Sequence, residues 1–225
     1  MEDSVHEKDV FPTMRGDLAI TFLGHGSLMI QIAGKVIHVD PFSRVADYAQ
    51  LPKADLVLIT HEHRDHLDPE ALRHILKAST TLLLTHLCAA QFEHGTVLKN
   101  GDTFDWDGII IQAVPAYNLV HKRENGLPFH PKGDGNGYVV AFGEVSVYIA
   151  GDTENIPEMA DLQNIQIAFL PMNLPYTMTP EMAAQAARSF MPHILYPYHY
   201  GSTDASTLMG LLKATGIDVR IRNLA

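Results

Sequence analysis

Cys88 is the only cysteine in the chain, so an intrachain disulfide is excluded, and with it the disulfide-stapled secreted scaffold. No apolar run approaches the roughly 18 residues that a bilayer crossing requires. The first thirteen residues mix Glu2, Asp3, Glu7, Lys8 and Asp9 with few apolar side chains, a composition unlike a signal peptide. Basic residues are also few: 16 Lys and Arg stand against 26 Asp and Glu, a formal charge of -10. Such a surface repels polyanions, so nucleic acid is not the expected partner, although bound divalent cations would offset part of the charge locally. Low-complexity segments, internal repeats and Pro/Gly/Ser-rich linkers are missing too. The expectation is one domain over residues 1–225, with residues 1–16 as an N-terminal extension, in a cytoplasmic protein without a membrane anchor. No feature of the sequence points to an oligomeric state.

Apolar residues make up 46% of the chain, enough for a substantial core. Three short apolar runs, residues 18–23, 27–32 and 35–39, are separated by Gly24-His25-Gly26 and Ala33-Gly34, which predicts an antiparallel meander. Residues 56–59 read as a buried strand. Asp68-Pro69-Glu70 and Thr179-Pro180-Glu181 each place a capping side chain, a proline and an acid where a helix begins. Further strands are expected at 80–84, 109–114, 138–142, 145–149, 167–170 and 194–198, and further helices at 156–162 and 205–215. Strands dominate the first half, and helices alternate with strands in the second. That is the pattern of packed sheet and helix layers in an α/β fold.

Histidine is abundant, with thirteen in the chain, and its placement carries the chemistry. Thr60-His61-Glu62-His63-Arg64-Asp65-His66 follows the buried strand at 56–59. His61 and His63 face one side of an extended segment. Asp65 and His66 follow after the chain can turn, toward a second point nearby. One loop can thus serve two metals about 3.5–4 Å apart. A solvated histidine-rich loop is the plainer alternative, but three histidines and an aspartate in this order directly after a buried strand favour a metal site.

His-x-His-x-Asp-His after a strand resembles the signature of the metallo-β-lactamase superfamily. Other pieces follow in the family's order: Asp40-Pro41, Gly151-Asp152-Thr153, and His199 within Tyr198-His199-Tyr200-Gly201. Leu23-Gly24-His25-Gly26 and Pro175-Tyr176-Thr177-Met178 are similar to the branch that contains ascorbate-6-phosphate lactonase-like enzymes. The resemblance implies a four-layer αβ/βα sandwich of two mixed β-sheets flanked by helices, with the site at one edge. It implies that His61 and His63 bind one metal, that Asp65, His66 and His199 bind the second, that Asp152 bridges both, and that Asp40 steadies a ligand histidine from behind. It further implies a hydrolase with two divalent metal ions. Zinc is the expected metal, with manganese or iron as alternatives. A metal-activated water would attack an ester, lactone or phosphodiester bond of a small, anionic substrate, with Asp65 or Asp152 orienting the water or taking its proton. The cluster has no cysteine, so lactam cleavage is not argued.

The pattern breaks at one place. The family supplies a third histidine to the first metal after the strand at 109–114, where this chain reads Pro115-Ala116-Tyr117-Asn118-Leu119-Val120-His121. His130 is the expected substitute. His121, Asn118 through its carbonyl oxygen, and a site with fewer protein ligands remain open. That gap leaves a non-catalytic metal-binding or interaction protein as the alternative function. Lys122, Arg123 and Lys132 in the long segment 117–137 are candidates to neutralise an anionic substrate. His25 or Tyr200 is a candidate donor to the leaving group, and His25 is equally a structural turn residue. Cys88 and His38 read as core residues. His6, His74, His94 and His193 read as structural or exposed, His86 as a distant neighbour of the site, and Trp106 as a turn-anchoring aromatic.

Overall fold

The computed structural model describes residues 6–92 and 94–225. The chain folds into two seven-stranded sheets. The first contains β1 (Lys8–Thr13), β2 (Gly16–Gly24), β3 (Ser27–Ile32), β4 (Lys35–Val39), β5 (Leu56–Leu58), β6 (Thr81–Leu84) and β7 (Thr96–Val97), in that spatial order. The second contains β8 (Thr103–Trp106), β9 (Ile109–Ala116), β10 (Gly135–Ala141), β11 (Ser146–Ile149), β12 (Ile167–Pro171), β13 (Ile194–Tyr198) and β14 (Asp218–Val219), again in sequence order. Both sheets follow one plan: four antiparallel strands, then three added in parallel. The parallel additions are reached through crossovers. These carry α1 (Pro69–Ile75) and α2 (His86–Gln91) in the first sheet, and a 3₁₀ turn (Pro157–Asp161), α3 (Pro180–Phe190) and α4 (Thr207–Leu212) in the second.

Strand periodicity explains the layering. In β5 and the residue after it, Leu56 and Leu58 enter the core between the sheets, while Val57 and Ile59 pack under α1 and α2 with Ala71, Leu72, Ile75 and Cys88. In the second sheet, Ile167 and Phe169 of β12 face inward, and Ala168 and Leu170 meet the alanine-rich face of α3. Parallel strands covered on both faces must be apolar on both faces, and these are. The result is the four-layer sandwich of two mixed sheets flanked by helices. Asp68 and Thr179 cap α1 and α3 as their sequences predict, accepting from Glu70 N and Met182 N.

Several boundaries differ from expectation. The segment at 8–13 is not an extension ahead of the domain but the edge strand β1, paired residue for residue with β2. Asp9 anchors it by ion-pairing with Arg222 at 2.8 Å and accepting from the Tyr196 hydroxyl. Residues 1–5 lie outside the described residues. The expected helix at 156–162 is a single 3₁₀ turn, and that at 205–215 shortens to α4. The strands β7, β8 and β14 and the helix α2 are additional. No helix among the described residues is long and apolar enough to cross a membrane.

The topology aligns the C-terminal ends of β4, β5, β9, β11 and β13 along one edge of the sandwich. Asp40, His61, Asn118, Asp152 and His199 leave the strands at that edge. Three residues there, His25, Asp40 and His199, hold φ values of 54°, 42° and 44°, an uncommon region in which Asn, Asp and His are over-represented. Gly151 permits the approach of Asp152: with φ at 66°, a Cβ at this position would sit 2.8 Å from Asn136 O.

Candidate metal centre

Eight side chains converge at this edge. His61, His63 and His130 form one group, His25, Asp65, His66 and His199 a second, and His61, His66 and Asp152 a third that joins them. All seven site residues expected from the sequence are therefore brought together, and His25 is added. His61, His66, His130, Asp152 and His199 are buried, while Asp65 stays partly open to solvent.

The ring nitrogens facing away from the centre are held. Asp40 accepts from His66 Nδ1 at 2.9 Å, from Thr60 N at 2.8 Å and from Thr60 Oγ1 at 2.6 Å. Thr60 Oγ1 in turn lies 3.0 Å from His61 Nδ1. His130 Nδ1 donates to Asn118 Oδ1 at 2.7 Å, and His199 Nδ1 lies 3.2 Å from the Asn173 amide. Each contact fixes a ring so that its Nε2 points inward, the arrangement used to orient metal-binding imidazoles. Asp40 thereby ties together histidines from both groups.

The inward atoms fit a cation and little else. His66 Nε2, His130 Nε2, His199 Nε2 and Asp152 Oδ1 are buried without a hydrogen-bond partner, a costly condition for polar atoms. His66 Nε2 to Asp152 Oδ1 is 3.5 Å, and His130 and His199 Nε2 each lie 3.4 Å from Asp152 Oδ2. Two ligands at 2.0–2.1 Å from one tetrahedral ion are separated by about 3.3 Å. Asp152 lies beside members of both groups, as a carboxylate with two oxygens can.

In the first group the electrostatics agree with this fit. Burial lowers His61 well below the ordinary imidazole value and brings His130 down to about 4, so both present free lone pairs at neutral pH. Burial opposes charge on His66 as well, but Asp152 and Asp40 outweigh it and push His66 up to about 9. Burial also opposes ionisation of Asp152, yet His199, His66 and His61 hold it well below the carboxylate range. Asp65 behaves alike, with His199 and His25 overcoming its burial.

His121, the other histidine considered for the first group, lies elsewhere. Its Nδ1 is 2.6 Å from Glu154 Oε1. Asn118 contributes by orienting His130 rather than by facing the centre, and its Nδ2 donates to Tyr176 O. The buried Glu154 was not anticipated. Its carboxylate also accepts from the backbone N–H groups of Leu119, Val120 and His121 at 2.6, 2.6 and 2.7 Å, bolting down the loop that carries Asn118. Glu154 follows Asp152 by two residues, so one short segment supplies a central carboxylate and secures the loop behind His130. Its place directly after Gly151-Asp152-Thr153 was the only sequence signal for this role.

Other expectations need correction. The Tyr200 hydroxyl donates to Arg222 O at 2.8 Å and is committed to the C-terminal segment rather than to a leaving group. Lys132 is paired with Glu158 at 2.6 Å, and Arg123 lies over the Phe129 ring. Neither they nor Lys122 line the two cavities that reach the cluster. His38 Nε2 donates to Pro52 O at 3.0 Å inside the first sheet's helix-side core and is absent from the centre. Cys88 is buried, and His86 is exposed on α2.

The profile of the beta-lactamase superfamily domain matches residues 19–199, a span that runs from β2 to the last histidine of the cluster. The chain belongs to the metallo-β-lactamase superfamily. It is 31% identical to a UPF0173 metal-dependent hydrolase of Methanopyrus kandleri, over 91% of this chain and 95% of that protein. The crystal structure of a protein assigned as a metal-dependent hydrolase from Parabacteroides distasonis superposes with a TM-score of 0.94 at 51% identity, covering 98% of this chain and all of that one. Igni18, a metallo hydrolase from Ignicoccus hospitalis, is 25% identical with a TM-score of 0.76, covering 92% and 96% of the two chains. As a member of this superfamily the protein is a metal-dependent hydrolase.

Proposed function

We propose that this metallo-β-lactamase superfamily hydrolase works with two divalent metal ions, zinc being the expected metal, on an ester, lactone or phosphodiester bond of a small anionic molecule. The observation that carries the reading is the set of buried, unpartnered nitrogen and oxygen atoms aimed at one volume. His61, His63 and His130 would hold the first ion, Asp65, His66 and His199 the second, and Asp152 would serve both. Such ions, when bound, supply Lewis acidity toward a substrate oxygen and lower the pKa of water from about 15.7 toward about 7.

The chain's own groups divide the remaining work. Asp152, buried and ringed by histidines, stays ionised and supplies fixed negative charge. Asp65 is the carboxylate that solvent reaches, with 37% of its side chain exposed. Its Oδ2 lies 3.0 Å from His25 Nε2, and the carboxylate would orient the attacking water. His25 holds Asp65 in place, and its ring centroid lies 3.7 Å from that of His199, with the planes tilted by 40°. Asp40, Thr60, Asn118 and Asn173 keep the imidazoles aimed. The alternative of a non-catalytic scaffold drew on an incomplete first group, and the position of His130 beside His61 and His63 speaks for the enzyme. A cytoplasmic location suits a chain whose one cysteine is buried.

The test is turnover of bis(4-nitrophenyl) phosphate and of a simple lactone by zinc-loaded protein, with and without a chelator. Asp152→Ala should abolish metal-dependent turnover while circular dichroism still reports the fold. Full activity with unchanged metal content in that variant would overturn the assignment.

A further inference from the structure

A cavity of about 530 Å³ opens onto the cluster at His25 and Asp65 and is walled by Phe42, Ser43, Arg44, Arg64, Asp68 and Glu70, among others. The charges on this wall are unevenly committed. Asp68 accepts from Ser43 N at 2.8 Å, Ser43 Oγ at 2.6 Å and Glu70 N at 2.9 Å. Glu70 is taken by Arg73 at 2.6 Å and His74 at 3.1 Å. Asp65 is engaged by His25. The guanidinium groups of Arg44 and Arg64 are exposed and have no carboxylate within ion-pairing distance among the described residues.

Both arginines are tied to the centre by geometry. Arg64 stands between His63 and Asp65 in the chain. Arg44 lies 6.0 Å from the Phe42 ring, the Phe42 ring lies 5.8 Å from that of His25, and the His25 ring lies 3.7 Å from that of His199. Two free cations on an otherwise acidic protein, at the open mouth of its reactive cluster, are a local exception to the charge balance. A guanidinium matches the planar, two-oxygen face of phosphate or carboxylate.

We propose that Arg44 and Arg64 form an anion subsite that holds a phosphate or carboxylate group of the substrate, set off from the bond that is cut. The inference rests on the hydrolase reading for calling the ligand a substrate. It moves the anion-binding role from the loop at 117–137, whose Lys132 is already paired, to the cavity at His25 and Asp65.

Two measurements test it, and they separate its failure from that of the hydrolase reading. In the first, inorganic phosphate and acetate are titrated calorimetrically into chelator-stripped protein, where no metal can bind them. Phosphate or acetate should bind to the wild type, and about tenfold more weakly to Arg44→Ala/Arg64→Ala. The tighter of the two anions identifies the group preferred. In the second, zinc-loaded protein is given 4-nitrophenyl pentanoate and its carboxylate-tailed analogue, mono-4-nitrophenyl glutarate. The ratio of kcat/KM values should favour the anionic ester, decline with ionic strength, and fall about tenfold in the double variant. Arg44→Ala alone should lower the ratio in the same direction, and Arg44 is outside the ligand loop, so disturbed metal ligands do not explain that change. Anion binding and an ester ratio that are both insensitive to the substitutions would overturn the subsite. Loss of turnover on both esters in the wild type would count against the hydrolase reading, leaving the titration to judge the subsite.

Discussion

Replacing Glu154 with glutamine tests how the irregular loop delivers His130. The carboxylate accepts four hydrogen bonds of 2.6 to 2.7 Å: Leu119 N and Val120 N on Oε2, and His121 N and Nδ1 on Oε1. Glutamine keeps the shape but loses the charge and turns one acceptor oxygen into a donor amide. With the amide at the Oε1 position His121 Nδ1 can accept in its other tautomer, but His121 N meets donor against donor, and the two bonds to Leu119 N and Val120 N lose their charge assistance. Hydrogen bonds to a charged group are worth about 1.5–3 kcal/mol each. The loop is half-open, and water recovers part of that, so Glu154→Gln should cost about 3 kcal/mol in urea unfolding of the stripped protein. The loop then holds Asn118, and through it His130, less firmly. Loss of such an orienting contact lowers metal affinity by about 10–100-fold. Burial opposes the charge of Glu154, but the backbone donors outweigh it and its carboxyl titrates below the ordinary 4.5. A group depressed in this way stabilises the fold above its unfolded value and loses that contribution as the pH falls through its folded one. The gap between wild type and variant should therefore be full at neutral pH and close below pH 4.5. An unshifted unfolding midpoint together with unchanged occupancy of both metal positions would refute the argument.

Other predictions follow from the same contacts. Asp40→Asn retains a residue suited to φ of 42° but weakens the contacts to His66 and Thr60. Competition with a chromophoric chelator should show zinc affinity reduced by about 10–100-fold, and unchanged affinity would show that Asp40 does not orient the ligands. Asp9→Asn removes the pairing with Arg222 and Arg220 that pins β1, and should lower stability by about 1 kcal/mol. Burial opposes ionisation of Asp9, but Tyr196 and the arginines keep it below the ordinary 3.8, so this difference should vanish as the pH drops below that value. Cys88 is buried and its thiol is pushed up to about 11, so a thiol reagent at pH 8 should modify it only after unfolding. Rapid labelling of native protein would contradict its placement on the buried face of α2.

What the sequence made legible was local. The loop at 61–66, the capped starts of α1 and α3, and the buried alternation of β5 and β12 are patterns within a few residues of one another. The ordered positions of Asp40, Asp152 and His199 extended that reading across the chain. The unread parts depend on distant partners. Strand β1 carries Pro12 and an exposed–half-buried alternation, and its anchors, Tyr196 and Arg222, lie about 200 residues away. Helix α2 has only six residues, too few for helical periodicity to register. Glu154, Asn118 and Asn173 act on histidines separated from them in sequence, so only the assembled edge shows why the loop can do without its usual histidine. Lys132 looked available for substrate because Glu158, which neutralises it, lies on the 3₁₀ turn beyond β11.

The most direct test of the account is anomalous diffraction from zinc-loaded crystals. The account predicts two peaks, one within bonding distance of His61, His63 and His130 and the other of Asp65, His66 and His199, with Asp152 reaching both. A single peak, or a first ion held without His130, would contradict it.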